Sequence, residues 1–249
     1  MRVLVATAVP AERDAVARAF TGSDGSTGSD GSTGSAGSTG SAGSAGFAGF
    51  AGSSGQVLAV GVGPARAAAG TATALTEAAR DGRPFGLVVS AGIGGGFAPE
   101  APVGSLVVAD EITAADLGAE TADGFLPVTE LGFGTVTHRP PETLVRDVTA
   151  ATGARAGTVL TVSTVTGTAD RAAALRARHP RALAEAMEGF GVAEAAAVHG
   201  VPVLELRAVS NPVGPRDRAA WRIGEALDAL AEAFGKLAPV LEGWTPHDR

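Results

Sequence analysis

Short apolar runs alternate with helix-length segments along most of the chain. Arg2–Ala8, Gln56–Gly63, Phe85–Ser90, Ser105–Ala109 and Gly157–Val165 read as buried strands, and Val203 opens another behind Pro202. Between and after them, Glu12–Phe20, Pro64 to about Arg80, Pro141–Ala151, Ala169–Arg178 and Asp217–Leu241 carry helical spacing, with Pro at helix starts and Asp217 as an N-cap. Ala182–His199 reads as a further helix, interrupted around Gly189–Gly191. Strands that are apolar throughout must be covered on both faces, and the helices supply the cover. This argues for a three-layer α/β/α architecture around a central mixed, mostly parallel sheet; the length suits one generous domain or two small ones, and the chain is taken as a single domain over residues 1–249.

One stretch breaks the alternation. Residues 21–55 repeat a Gly-Ser/Thr-(Asp or Ala) triplet with almost no apolar side chains besides Phe47 and Phe50. Such a segment cannot bury enough surface to offset its ordering entropy, so it is expected to be a disordered, low-complexity surface loop inserted between strands. The segment Ala114–Arg139 is Gly-rich and expected to be irregular.

The net charge of −7 argues against a broad nucleic-acid or anionic-membrane surface. The absence of cysteine excludes disulfides and thiolate metal sites and is compatible with a cytoplasmic location. No apolar run reaches membrane-spanning length, and MRVLVATAVP is too short for a signal segment, so it is read as the first strand. The histidines, His138, His179, His199 and His247, have no ligand spacing, so neither a metal nor a cofactor is expected. There is no G-x-S-x-G elbow and no Walker loop.

Four pieces carry candidate chemistry. The strand opening at Val203 changes character at its end, where Arg207, Ser210 and Asn211 precede Pro212 and Gly214. Ligands of α/β sheets bind outside the carboxyl ends of the strands, although Asn-Pro is also an ordinary turn. Gly92–Gly96 follows the Phe85–Ser90 strand; Phe97 stands where a dinucleotide fingerprint needs glycine, so it reads either as a turn against which a flat or sugar-bearing ligand lies or as a plain flexible turn. Glu12 follows the first strand and is either a first-turn helix acid or a carboxylate able to take a proton from water. Met187-Glu188-Gly189 is either a core Met beside a surface Glu or an acid that holds vicinal hydroxyls.

In this order, strand–Glu12, VVSAGIGGGFAPEAPVGSLVVADEI, AMEG and LELRAVSN, the chain resembles the nucleoside phosphorylase/nucleosidase superfamily, and especially its hydrolytic, methylthioadenosine nucleosidase branch. The resemblance implies a nucleoside phosphorylase-like fold acting on a small purine nucleoside, as a homodimer or higher homo-oligomer. It implies that Glu12 activates water, that Gly94 and Gly95 line the base and ribose, and that Met187 packs on the ribose. It further implies that Glu188 binds the ribose hydroxyls, Arg207 supports Glu188, and Asn211 contacts the leaving purine. The adenine-releasing members have Asp where this chain has Asn211. An Asn amide donates to O6 of a 6-oxopurine and accepts from a protonated N7, whereas adenine offers an N6 donor. With that departure the chain resembles the futalosine hydrolases, which release hypoxanthine in a menaquinone route.

A 6-oxopurine nucleoside phosphorylase is the main competing reading, and an adenine-specific nucleosidase comes after it. Phosphate needs cationic donors near strand one, where PAERD leads with Glu12 but continues with Arg13. Futalosine carries an aromatic carboxylate on its 5′ side; Phe125, Leu126 and Phe133 with His138 or Arg139 are candidates to meet it, or else form an apolar lid or interface. Asn211 cannot supply a proton to the leaving base, so its source is left open.

Overall fold

A computed structural model describes residues 1–20, 44–47 and 55–245 of the chain. The strands are β1 (Val3–Thr7), β2 (Ser44–Phe47), β3 (Gly55–Ala59), β4 (Leu87–Gly96), β5 (Leu106–Ala114), β6 (Gly118–Thr121), β7 (Gly124–Pro127), β8 (Thr137–His138), β9 (Arg155–Thr161), β10 (Ala182–Ala186) and β11 (Val203–Pro212). The helices are α1 (Pro10–Arg18), α2 (Pro64–Arg80), α3 (Glu142–Thr152), α4 (Ala169–Arg178), α5 (Gly189–Val198) and α6 (Ile223–Gly243).

The main sheet runs β10-β9-β5-β11-β4-β1-β3-β2, with β8 beside β5. Pairs among β1, β3, β4, β9, β10 and β11 are largely parallel, whereas β5 runs antiparallel to β11. The mixed, mostly parallel α/β architecture is therefore the one the alternation demands. Side-chain alternation along β1 explains the three layers. Val3 and Val5 enter the cluster formed with α3 and α6, around Leu144, Leu230 and Phe234. Leu4 and Ala6 enter the opposite cluster with α2 and α5, around Leu75, Phe190 and Val192. Among the described residues, no helix is long and apolar enough to cross a membrane.

Several expectations are corrected. Gly92–Gly96 is not a turn: β4 continues through it, and its last glycines pair antiparallel with β10, Gly95 opposite Glu185 and Gly96 opposite Ala184. The order thus closes on itself from β10 back to β4. Close approach explains the glycines, since a Cβ on Gly96 would stand 2.0 Å from the Ala101 carbonyl oxygen. Ala182–Ala186 is strand β10 and only Gly189–Val198 is helix. Alanine favours helix in isolation, but here its small side chain fits a strand squeezed between β9 and the glycine end of β4, and tertiary pairing overrides propensity. Asp217 caps the short 3-10 turn Arg218–Ala220, accepting from the Ala219 amide at 3.2 Å, and α6 begins at Ile223. The 105–109 strand extends to Ala114, and the 114–139 region holds the β6–β7 hairpin and β8.

Of the repeat expected to be a disordered loop, residues 21–43 and 48–54 lie outside the described residues. Ser44–Phe47 pairs antiparallel with β3 as an edge strand, a role that backbone groups alone can fill.

Candidate active site

Glu12, Ile93, Gly94, Gly95, Met187, Glu188 and Asn211 line one cavity of about 550 Å³. Ser210, Thr166, Glu185, Arg216, Arg218 and Trp221 complete much of its wall. The predicted pieces therefore meet, although they lie far apart in sequence. The cavity opens at the carboxyl ends of β1, β4, β10 and β11, as the α/β rule requires. A cavity of comparable size, about 590 Å³, lies between β3 and α2 around Arg66 and Glu77 and contains none of these residues.

Glu12 is placed by the start of α1. Pro10 begins the helix after β1, and the carboxylate of Glu12, one turn in, reaches back to accept the amides of Ala8 (2.9 Å) and Val9 (3.3 Å) through Oε2. Its Oε1 accepts the Ile93 amide of β4 at 2.9 Å. The side chain is buried, and burial pushes its pKa upward; the Arg207 charge and the Ile93 and Ala8 amides pull against that rise, while Glu188 adds to it. A buried carboxylate with raised basicity is suited to take a proton from water.

Arg207 is 1% exposed and stands at the centre of three carboxylates. Its Nε donates to Glu205 Oε1 at 2.9 Å, its Nη1 lies 3.5 Å from Glu188 Oε2, and its Nη2 donates to Ser90 Oγ at 2.9 Å. Glu12 is the third and acts on Arg207 through its charge; both side chains reach the space over Gly92, where a Cβ would sit 2.5 Å from Glu12 Oε1 and 2.7 Å from Arg207 Nη1. Burial disfavours the guanidinium charge, but Glu205, Glu188 and Glu12 together outweigh it, and the Arg207 pKa is raised. Glu205 is completely buried, and burial pushes its pKa up against the pull of Arg207.

Glu188 sits at the junction of β10 and α5. Its Oε1 accepts the Gly63 amide at 3.1 Å, so one carboxylate oxygen is fixed to the turn before α2 and the other to Arg207. The glycine after it is required, since a Cβ on Gly189 would come within 2.1 Å of Glu205 Oε2. Met187 is half-buried on the same wall.

At the end of β11, a bulge between Val209 and Asn211 shifts the register against β4. A bulge re-aims the side chains beside it. Ser210 Oγ lies 2.9 Å from Asn211 Oδ1 and 3.3 Å from the Gly94 carbonyl, and Asn211 Nδ2 donates to the Pro212 carbonyl at 3.0 Å. Gly94 and Gly95 form the floor beneath, where a Cβ on Gly94 would stand 2.8 Å from the Glu185 carbonyl oxygen.

Within one chain, the residues considered for the 5′ side lie elsewhere. His138 bonds Glu194 at 2.8 Å and Arg139 pairs with Glu111 at 2.7 Å, both beside a separate cavity under α5. Sequence reasoning missed Glu185, Glu205, Arg216 and Trp221. A lone acid within each of the apolar strands ALAEA and VLELR was the available signal for the first two.

A single α/β domain with this closing sheet, and a cavity lined by the carboxylates of Glu12, Glu185 and Glu188 over a glycine floor, has the make-up of a nucleoside-cleaving class. The chain belongs to the phosphorylase superfamily, whose model it matches over residues 3–242. It is 73% identical to the futalosine hydrolase of Streptomyces coelicolor over the full length of both chains. It is 43% identical to that of Acidothermus cellulolyticus, covering 94% of this chain and 89% of the relative. The fold is also that of Helicobacter pylori futalosine hydrolase, with TM-score 0.75 at 16% identity over 96% and 97% of the two chains. It matches as well the 5′-methylthioadenosine/S-adenosylhomocysteine nucleosidase of Streptococcus pneumoniae, with TM-score 0.74 at 18% identity over 97% and 100%.

Proposed function

We propose that the chain is a purine nucleosidase that hydrolyses the N-ribosidic bond of futalosine, releasing hypoxanthine and dehypoxanthine futalosine for menaquinone biosynthesis. The full-length identity of 73% to a futalosine hydrolase carries this reading, and Asn211 in the cavity supports it chemically.

Cleavage passes through an oxocarbenium-like state, as in glycoside hydrolysis. The site must take up negative charge on the departing base and positive charge on the ribose. In our reading Glu12 removes a proton from the water that attacks C1′, and the electron pair of the breaking C1′–N9 bond leaves with the purine. N7 takes a proton from solvent water as the bond breaks, and Glu12 afterwards returns its proton to solvent; Asn211 donates through Nδ2 to O6 and accepts from the protonated N7 through Oδ1. Glu188 holds the 2′ and 3′ hydroxyls, and its negative field favours the cationic ribose. Arg207 is a positioning residue: it holds Glu188 and the neighbourhood of Glu12 without reaching the reacting atoms. The cavity mouth supports a 5′ arm bearing an aromatic carboxylate. Trp221 offers an indole face, and the guanidinium carbons of Arg216 and Arg218 lie 5.5 and 5.7 Å from its centroid.

Water rather than phosphate as the nucleophile is favoured by the interior charges. A phosphate dianion near strand one would face Glu12 and Glu188, and the buried cation there, Arg207, already faces the carboxylates of Glu188 and Glu205. We also propose a cytoplasmic homo-oligomer; exposed Phe133 (68%) and Leu131 (40%) supply apolar surface for an interface. The reading is tested by following product release from futalosine, inosine and methylthioadenosine. Hypoxanthine from futalosine is expected, and adenine release as the faster reaction would overturn it.

A further inference from the structure

We propose that Glu185 is a second specificity-determining residue of this site, a carboxylate that accepts the N1–H of a 6-oxopurine from the wall opposite Asn211. The proposal rests on the hydrolase reading above and deepens it.

Sheet register carries the inference. Asn211 of β11 is opposite Gly95 of β4, and Gly95 is opposite Glu185 of β10. Two strand spacings, roughly 10 Å in all, therefore separate the backbones of two polar residues, and the residue between them has no side chain. A Cβ on Gly95 would come within 2.9 Å of Val213 Cγ2 and 3.3 Å of Asn211 Nδ2, so this floor is kept clear. Both polar residues line the same cavity. A flat base lying on Gly95 presents one edge towards each wall.

Glu185 is also unusual as a structural residue. It is 6% exposed, and its two oxygens are held by one neighbour, the Thr166 amide at 2.8 Å and the Thr166 hydroxyl at 2.5 Å. No ion pair within 4.0 Å neutralises it among the described residues, and Arg171 acts on it only as a secondary charge. A buried carboxylate without a close cation is costly unless further donors meet it. Burial pushes its pKa up, with the Thr166 donors opposing. Thr166 occupies one lone-pair site on each oxygen, and a carboxylate has about four such sites, so acceptor capacity remains for a ligand.

The ligand edge that fits is a donor. In a 6-oxopurine, N1 carries hydrogen and lies beside O6, with N7 on the other side. An amide at O6 and N7 and an acceptor at N1 bracket that arrangement. In adenine N1 carries a lone pair, so the same carboxylate would face an acceptor. Glu185 and Asn211 would then reject adenine by independent contacts on the two sides of the 6-position.

Calorimetric binding of hypoxanthine and 1-methylhypoxanthine to the full chain tests this, using wild type, Glu185→Leu and Glu185→Ala. Leu keeps comparable bulk without an acceptor, and Ala also removes the bulk. Wild type is expected to prefer hypoxanthine by at least about tenfold, since a polar site left unpaired is strongly selective. In Glu185→Leu, hypoxanthine is expected to weaken by about tenfold, and in Glu185→Ala the preference should fall to within about threefold. Equal binding of the two bases by wild type, or an undiminished preference in either variant, would overturn the proposal. Futalosine turnover by the same wild-type preparation separates the two readings. Turnover without discrimination at N1 removes the role of Glu185 alone, whereas neither turnover nor hypoxanthine binding removes the hydrolase reading with it.

Discussion

Glu12 Oε1 accepts the backbone amide of Ile93 at 2.9 Å, joining the first turn of α1 to the glycine-rich half of β4. One hydrogen bond thus sets the distance between the carboxylate and the floor on which a base would lie. Gly92, next to it, leaves the space into which Glu12 and Arg207 both reach.

Replacing Glu12 by Gln is expected to lower kcat for hypoxanthine release by about 10²–10⁴, the usual contribution of a general base, with KM little altered. Steady-state kinetics on futalosine checks it. A kcat near wild type would remove Glu12 from the role of base.

The acid limb of the pH profile should belong to the same group. Glu12 must be ionised to take a proton, and burial raises its pKa, so activity should fall with decreasing pH at values above the ordinary carboxylate range. The kcat/KM profile of the wild type, which reports groups of the free enzyme, measures this, and a limb at or below the free-glutamate value would contradict it.

Gly92→Ala probes the shared space directly. Its Cβ would lie 2.5 Å from Glu12 Oε1 and 2.7 Å from Arg207 Nη1, closer than atoms approach, so both side chains must shift. A displacement of about 1 Å at a reacting group costs on the order of 10²-fold in rate. The expected result is a fall in kcat of that size in a protein that still unfolds cooperatively.

These positions differ in how far they could be read from the chain alone. Strand–helix alternation exposed the layers because each apolar run had to be buried on both faces. Glu12, Glu188 and Asn211 were readable because each follows an apolar strand or sits beside glycine at a strand end. The closing of β10 onto β4 was not readable. It depends on Gly95 meeting Glu185 across a pairing between strands distant in sequence, and the alanines of β10 carry a helical propensity that only this pairing overrides. Glu205 was hidden for the same reason: its partner Arg207 is evident in the strand, but its burial is decided by α5 packing over Gly189.

Glu205→Ala should destabilise the fold by about 3–5 kcal/mol, because it leaves the buried Arg207 charge short of a partner. Denaturant unfolding reads the loss. Little change would show that Glu188 and Glu12 hold Arg207 without it.

Asn211→Asp should shift preference from hypoxanthine-bearing towards adenine-bearing nucleosides. A carboxylate faces O6 with no donor unless protonated, and sites built on donor pattern discriminate by up to roughly 10⁴. The ratio of kcat/KM for futalosine and its 6-amino counterpart measures the shift, and an unchanged ratio would contradict the role given to Asn211.

At the cavity mouth, Arg216→Ala and Arg218→Ala should raise KM for futalosine by about two- to fivefold, the worth of an exposed ion pair, and leave inosine unaffected. Equal effects on both nucleosides would remove these residues from recognition of the 5′ carboxylate.

The identity of the nucleophile is read from the initial rate of hypoxanthine release from futalosine, measured with and without inorganic phosphate. Full activity in phosphate-free buffer, unchanged on adding phosphate, is the predicted result. Release that requires phosphate and yields a sugar 1-phosphate would contradict it.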